Sequence, residues 1–272
     1  MTRMEQVLQE RQPILPPKAA NPPAIAITHL SFSYPDCAYT IHDLNVQIQP
    51  GERVGIVGAN GCGKTTLFLL LCGVLTPTAG EISILGNPII PGALETRIGL
   101  VFQNPDDQLF SASVWDDIAF GPLNLGLLPE DVEQRVSTAM ALTNVVELAQ
   151  RPPHHLSGGQ KKRVAIAGVL ATNPEILLLD EPSAQLDPRS RRQLIQLLDS
   201  LPQTQLIATH DLDLALELCD RTILLSEGQM VCDDDTYTIL SNAELLEQYA
   251  LELPLSYSRP YCQLNHAPAI NC

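Results

Sequence analysis

With 272 residues, 45% of them apolar, the chain can bury the core of one large α/β domain, alone or with a small lobe. Sixteen Lys and Arg against 31 Asp and Glu give a formal charge of −15, which repels nucleic acid except at a local basic patch. Seven cysteines (Cys37, Cys62, Cys72, Cys219, Cys232, Cys262, Cys272) are scattered with no C-x-x-C pair, the pattern of reduced thiols in a cytosolic protein and not of a disulfide framework.

Residues 1–24 are polar and then proline-rich, which predicts an extended or disordered leader; a short helix over Met4 to Gln12 is compatible with the pattern. No signal-peptide core is visible, and the longest strongly apolar stretch, Leu67 to Leu75, falls far below the ~18 residues of a membrane span. A soluble chain is expected. From Ile25 an alternating pattern (Ile25, Ile27, Leu30, Phe32, then Ile41, Leu44, Val46, Ile48) predicts strands. Tyr34 falls in a loop between them, either stacking on a purine ring or packing as part of a turn. Pro50-Gly51 turns the chain into the apolar run Val54 to Val57, which feeds Gly58-Ala59-Asn60-Gly61-Cys62-Gly63-Lys64-Thr65-Thr66 and then the helical run Leu67 to Leu71.

Strand, glycine-rich loop, helix with the spacing G-x-x-x-x-G-K-T is a phosphate cradle. Glycines let successive N–H groups turn inward, and the helix start adds partial positive charge. Lys64 is expected on the β- and γ-phosphates and the Thr65 hydroxyl on Mg²⁺. Cys62, two residues from Lys64 at a helix start, reads either as an activated thiolate or as a small inert residue.

Further strands are expected over Glu81 to Leu85 and Arg97 to Phe102, followed by Gln103-Asn104-Pro105-Asp106-Asp107-Gln108 and helices over Val114 to Phe120 and Glu130 to Gln150. These helices form a lobe of about residues 104–155 inserted into the sheet domain. Leu156-Ser157-Gly158-Gly159-Gln160 opens a helix over Lys161 to Ala171, with Ser157 as cap and two glycines leaving N–H groups bare for an anion. Lys161-Lys162-Arg163 reads as a solvated helix face. The apolar run Ile176 to Leu179 has the composition of a central parallel strand and ends in Asp180-Glu181. A helix from Asp187-Pro188, a strand over Gln205 to Thr209 ending at His210, a helix over Leu212 to Cys219 and a hairpin around Gly228 complete a domain spanning residues 25–235. Residues 236–272 are expected to hold one helix, Asn242 to Leu251, and a tail.

Alternating strands and helices predict an α/β fold with a mostly parallel central sheet, an antiparallel β subdomain and an inserted α-helical lobe. Such sheets bind ligands at the carboxyl ends of their strands. Asp180 is suited to hold the shell of the metal and Glu181 to orient or deprotonate the attacking water; Gln103 can reach the same metal or water, and His210 can bond the γ-phosphate. The bare helix start at Ser157 to Gln160 remains unplaced, unless a second copy brings it to the nucleotide as a lid.

Across roughly residues 25 to 235 the sequence resembles the nucleotide-binding subunits of ATP-binding cassette transporters, which are P-loop NTPases. Gly58 to Thr66 matches the Walker A loop, Ile176 to Glu181 the Walker B strand, and Leu156 to Gln160 the signature letter for letter. Gln103 matches the Q-loop, Asp187 the D-loop, His210 the switch histidine and Tyr34 the adenine-stacking aromatic. The resemblance implies ATP and Mg²⁺ as ligands. It also implies a head-to-tail pair of cassettes, with each ATP between one Walker A loop and the other copy's Ser157, Gly158, Gly159 and Gln160. Val101 to Phe110, Ala119 to Pro122, and Pro153-His154-His155 before the signature resemble the energy-coupling-factor group.

The implied role is an ATPase subunit at the cytoplasmic face of the membrane, driving import of cobalt, nickel or a vitamin through separate integral membrane proteins. A cassette ATPase acting on DNA or ribosomes, and an exporter subunit, are the alternatives. The charge disfavours the first, and the Gln103 to Phe110 segment makes the second less fitting. Departures from the family pattern are Cys62 for Ser, Gln185 for Gly and Trp115 for an acidic residue. Trp115 either touches a membrane partner or fills the lobe. His154 and His155 point apart and are not read as metal ligands, and Asp233 to Asp235 reads as a solvated turn.

Overall fold

The computed structural model describes residues 22–35, 40–90 and 92–257. Residues 1–21 of the leader, with the Met4 to Gln12 helix, and the tail after residue 257 lie outside them. Strands β1 (Ile25–Phe32) and β2 (Ile41–Ile48) pair antiparallel before β3 (Arg53–Val57) runs into helix α1 (Lys64–Leu71). Strand β4 (Ala79–Ile84) and the short β5 (Asn87–Pro88) add to the first pair, giving a four-stranded antiparallel sheet in the order β2-β1-β4-β5. The chain then enters β6 (Ile98–Val101) and leaves the sheet for helices α2 (Val114–Asn124) and α3 (Pro129–Leu142). Helix α4 (Gly158–Ala171) returns it to β7 (Ile176–Asp180).

Helix α5 (Pro188–Ser200), β8 (Thr204–Thr209), α6 (Leu212–Leu218), β9 (Arg221–Ser226) and β10 (Gln229–Asp235) complete the second sheet. Its order is β10-β9-β3-β8-β7-β6, parallel throughout except for the β9–β10 hairpin. Two short helices, α7 (Thr236–Leu240) and α8 (Ala243–Gln248), follow.

The central strands are apolar because both of their faces are covered. Leu177 and Leu179 of β7 pack into the cluster shared with the α2–α4 lobe, while Ile176 and Leu178 pack toward the antiparallel sheet and α1. Every residue of β7 is buried, as a helix-covered parallel sheet requires. Val132, Val136, Ala139 and Met140 of α3 are buried as their spacing predicts. Trp115 is partly buried and packs against this lobe cluster.

Three sequence readings are corrected. The second lobe helix stops at Leu142 instead of Gln150, because Asn144 takes φ +54 and Val146–Leu148 makes only a 3₁₀ turn. The single C-terminal helix is two, each with its own cap: Asp235 accepts from the Thr238 N–H and Asn242 from that of Leu245. Asp233 is no solvated turn residue. It lies in β10 and holds the Arg221 guanidinium through both oxygens at 2.6 Å.

Candidate functional site

Strands β3, β7 and β8 end side by side, and a cleft of about 380 Å³ opens at their carboxyl ends. From the phosphate loop and α1 it is lined by Asn60, Gly61, Gly63, Lys64, Thr65 and Thr66. Gln103, Asp180, Glu181 and His210 line the opposite side. Four separate chain segments therefore converge as their sequence positions predict. Thr40, just before β2, completes the wall. It was not singled out from sequence, since a lone threonine ahead of a strand carries no local signal.

The phosphate loop is shaped by close approach. Gly58 has φ +156, and a Cβ there would lie 2.2 Å from the Leu225 carbonyl oxygen, so no larger residue fits. Lys64, only 7% exposed, donates from Nζ to the carbonyls of Gly58 at 2.7 Å and Ala59 at 3.2 Å. The ammonium is thus held over the loop whose N–H groups would cradle phosphate.

The Thr65 hydroxyl donates to Asp180 Oδ2 at 2.7 Å, joining the two groups assigned to Mg²⁺. Burial holds the Asp180 carboxyl above its usual range, with the Thr65 hydrogen bond opposing and the charge of Glu181 adding to it. A hydroxyl, a buried carboxylate and the nearby Gln103 amide form an all-oxygen donor set, which fits Mg²⁺. Bound there, the ion would offset the charge of the phosphates and of Asp180.

Glu181 sits in left-handed backbone at φ +45 and is 5% exposed. Its N–H donates to Ala208 O at 2.8 Å, tying it to β8. Its Oε2 accepts from the Thr209 hydroxyl at 3.2 Å and the His210 N–H at 3.3 Å, and lies 2.8 Å from His210 Nδ1. All of the side-chain contacts fall on one oxygen. Among the described residues Oε1 has no protein partner, which leaves it for a water. Behind the histidine, Asp211 accepts from Ser183 Oγ at 3.0 Å and Arg191 Nε at 3.0 Å, bracing the turn after β8 against the one after β7.

Several predicted residues lie outside the cleft. Tyr34 stacks edge-on against Phe32 with centroids 4.9 Å apart and does not line it. Asp187 caps α5, accepting from the N–H groups of Arg189 at 3.0 Å and Ser190 at 3.1 Å. Gln185 takes φ +62, the conformation for which a glycine is usual. Ser157 and Gln160 form a reciprocal capping box, leaving the Gly158 and Gly159 N–H groups uncapped, and none of the four lines the cleft. A Cβ on Gly158 would meet nothing within 4 Å, so this helix start faces open space. Gly159 is crowded: a Cβ there would lie 2.3 Å from Ser190 Oγ.

Cys62 turns its thiol into the core, 6% exposed, and burial pushes that thiol up more than the neighbouring Lys64 ammonium pulls it down. Of the two readings of Cys62, the structure favours the inert one. Treatment of the native protein with a thiol reagent at pH 8 should leave Cys62 unlabelled on peptide mapping, with or without MgATP, while the denatured chain labels readily. Rapid labelling that MgATP blocks would contradict this placement.

The solvated-face reading of Lys161-Lys162-Arg163 also fails at its middle residue. Lys162 is 2% exposed and donates from Nζ to the carbonyls of Gln103 at 2.6 Å and Phe102 at 3.2 Å. Burial lowers its pKa to about 8, against the pull of the nearby Asp180 and Glu181 charges.

A parallel sheet with a phosphate loop at the end of β3 and paired carboxylates at the end of β7, one strand removed, defines a P-loop nucleotide hydrolase. Residues 41–184 match the family model described as ABC transporter. A Synechocystis protein bearing an ABC transporter ATP-binding name is 51% identical over 248 residues, covering 91% of this chain and 86% of its own. The energy-coupling factor transporter ATP-binding protein EcfA of Methanothermobacter thermautotrophicus is 42% identical over 238 residues, covering 85% and 76%. Among solved structures, cbiO1 from Clostridium perfringens, described as part of the ABC transporter complex cbiONQ, aligns with TM-score 0.75 and 38% identity over 84% of this chain and 94% of that one. The chain belongs to the ABC transporter ATP-binding family, and its activity is ATP hydrolysis.

Proposed function

We propose that this chain closes head to tail with a second cassette, identical or related, over two ATP molecules. Hydrolysis then drives import of cobalt, nickel or a vitamin through separate integral membrane proteins, with the cassettes at the cytoplasmic face. The observation that carries the reading is the helix start at Ser157: capped, glycine-lined, open to solvent and absent from the cleft. A cleft open on one side and an exposed helix start with uncapped N–H groups complement each other between two copies. In this arrangement Lys64 and the loop N–H groups hold the phosphates. Glu181 Oε1 orients or deprotonates water, His210 fixes that carboxylate and presents its other ring nitrogen to the γ-phosphate, and Tyr34 stacks on the adenine. The backbone N–H groups around Gly58 and Cys62 belong to the cradle, and Asp187 meets the other copy.

The import reading is supported by relatives named for energy-coupling factor transporters and by the surface beside Gln103. A groove of about 360 Å³ runs there between β6, α2 and α4. Phe110 and Phe120, 66% and 49% exposed, stand edge-on at its rim with ring centroids 4.8 Å apart. Asp107 and Gln108 line the same groove, and no helix among the described residues is long and apolar enough to cross a membrane. Short helices of a membrane protein, apolar with basic residues, fit this surface.

Asp106 is unsuited to testing it, because Asp106 is paired with Lys161 at 2.6 Å and serves the loop itself. The double variant Asp107→Lys with Phe110→Ser should lose most membrane association and uptake. Its ATPase rate without membranes should stay within about threefold of wild type, since no cleft group is touched. A fully complexed, transporting variant would remove this docking surface. The broader test is purification from detergent-solubilised membranes, followed by ATP-dependent uptake of each cargo into reconstituted vesicles. The reading expects integral membrane proteins to co-purify and one cargo to accumulate; absence of any membrane partner contradicts it.

A further inference from the structure

We propose that Lys162 is a positioning residue for ATP hydrolysis. Its ammonium clamps the turn bearing Gln103 onto helix α4, so that one contact sets Gln103 in this chain's own cleft and the Ser157–Gln160 edge offered to the second cassette. The proposal rests on the reading above, that the cleft holds ATP and that the α4 start serves another copy's cleft.

Position 162 faces inward beside Val164, Ala165 and Ile166, where an apolar side chain would fill the space at no desolvation cost. A lysine there needs a reason, and the two carbonyls supply it. The β6–β7 ladder ends at Val101 and Leu179, so the carbonyls of Phe102 and Gln103 lie beyond it. They are met by Lys162 Nζ at 3.2 and 2.6 Å. A buried charge-assisted bond to backbone is stronger and more directional than the contacts around it.

Two of those contacts join the same bodies. Lys161 Nζ bonds Asp106 Oδ1 at 2.6 Å, an ion pair whose acid is 60% exposed and which contributes little by itself. The Gln108 amide donates to the Ala165 carbonyl at 3.1 Å and accepts from the Phe102 N–H at 3.3 Å. Residues 102–108 are therefore held along the first two turns of α4, in register with the signature. Movement of Gln103 toward a γ-phosphate would carry the α4 start with it. Gly159, packed against Ser190 next to Asp187, extends the contact to the start of α5.

The test is a double-mutant cycle on the purified protein with Lys162→Met, Gln103→Ala and both together. It measures kcat and KM for ATP, with rates normalised to ATP bound per chain so that misfolded molecules are not counted. Lys162→Met should lower kcat by about 10- to 100-fold, the scale of a displaced active-site group, with KM within about threefold. Adding Lys162→Met to Gln103→Ala should cost well below the product of the two single losses, because the part of the clamp that acts through the Gln103 side chain is already gone.

A role independent of Gln103 would instead multiply the two losses, and that result would overturn the proposal, as would a wild-type normalised kcat for Lys162→Met, the result of a role confined to folding. Lys162→Arg, which keeps charge and donors, should recover most of the rate; a loss equal to that of methionine would count against the clamp. If Lys162→Met does not fold, the cycle is run with Lys162→Gln, with the same two outcomes. Failure of the underlying reading looks different. Gln103→Ala at the wild-type rate would remove Gln103 from the site and the proposal with it. An impaired Gln103→Ala beside an unimpaired Lys162→Met overturns the clamp alone.

Discussion

Glu181→Gln should slow ATP hydrolysis by about 100- to 10,000-fold, the span that a positioned general base supplies, while ATP still binds. The substitution keeps shape and removes charge. Every contact that orients the side chain falls on Oε2: the Thr209 hydroxyl at 3.2 Å, the His210 N–H at 3.3 Å and His210 Nδ1 at 2.8 Å. An amide oxygen can take that place and accept from the same donors. The amide nitrogen then occupies the Oε1 position, where it can donate to a water but can no longer take its proton. Folding is spared for the same reason, and the melting temperature should move by only a few degrees. Single-turnover hydrolysis of radiolabelled ATP measures the step directly. A wild-type rate would end the assignment of Glu181 as the base.

Lys64→Ala should weaken ATP binding by about 10- to 150-fold, equivalent to one charge-assisted hydrogen bond of ~1.5–3 kcal/mol. The ammonium is 7% exposed and engages Gly58 O and Ala59 O, using two of its three donors. The third is available to a phosphate oxygen in the cleft that Lys64 lines. Alanine removes the one cationic side chain of the phosphate loop and leaves the two carbonyls to water. The readout is titration with a fluorescent ATP analogue, and an unchanged dissociation constant would show that the ammonium serves the loop alone.

What could be read from sequence and what could not divides along chain separation. The phosphate loop, the Asp180-Glu181 strand end and the Ser157 cap are local patterns: a few consecutive residues hold both the fold signal and the chemical groups. Parallel-sheet topology then brings Gln103, Asp180, Glu181 and His210 together, because ligands gather at the carboxyl ends of such strands. Lys162 was misread because its acceptors lie 59 and 60 residues away in sequence, and a run of three basic residues looks like a solvated face. Asp233 was misread in the same way, its partner Arg221 standing across the β9–β10 hairpin. The Cys62 thiol was left between two readings because sequence proximity to Lys64 says nothing about which way a side chain turns. In the structure desolvation outweighs that neighbouring charge. Residue Asn144 ended a helix that apolar spacing alone had extended, through a left-handed backbone that asparagine tolerates.

The central claim is that a nucleotide site is complete only when one copy's Ser157 helix start closes over another copy's phosphate loop. Sedimentation of the Glu181→Gln variant measures this most directly, with and without MgATP, alongside the double variant Glu181→Gln with Ser157→Arg. The account predicts a two-cassette species for Glu181→Gln in MgATP, of twice the 29.6 kDa monomer mass where the second cassette is identical. Without nucleotide it predicts monomer, and for the double variant monomer with ATP still bound. An ATP-loaded Glu181→Gln that stays monomeric both alone and beside a related cassette that co-purifies with it, or a dimer indifferent to Ser157→Arg, would contradict it.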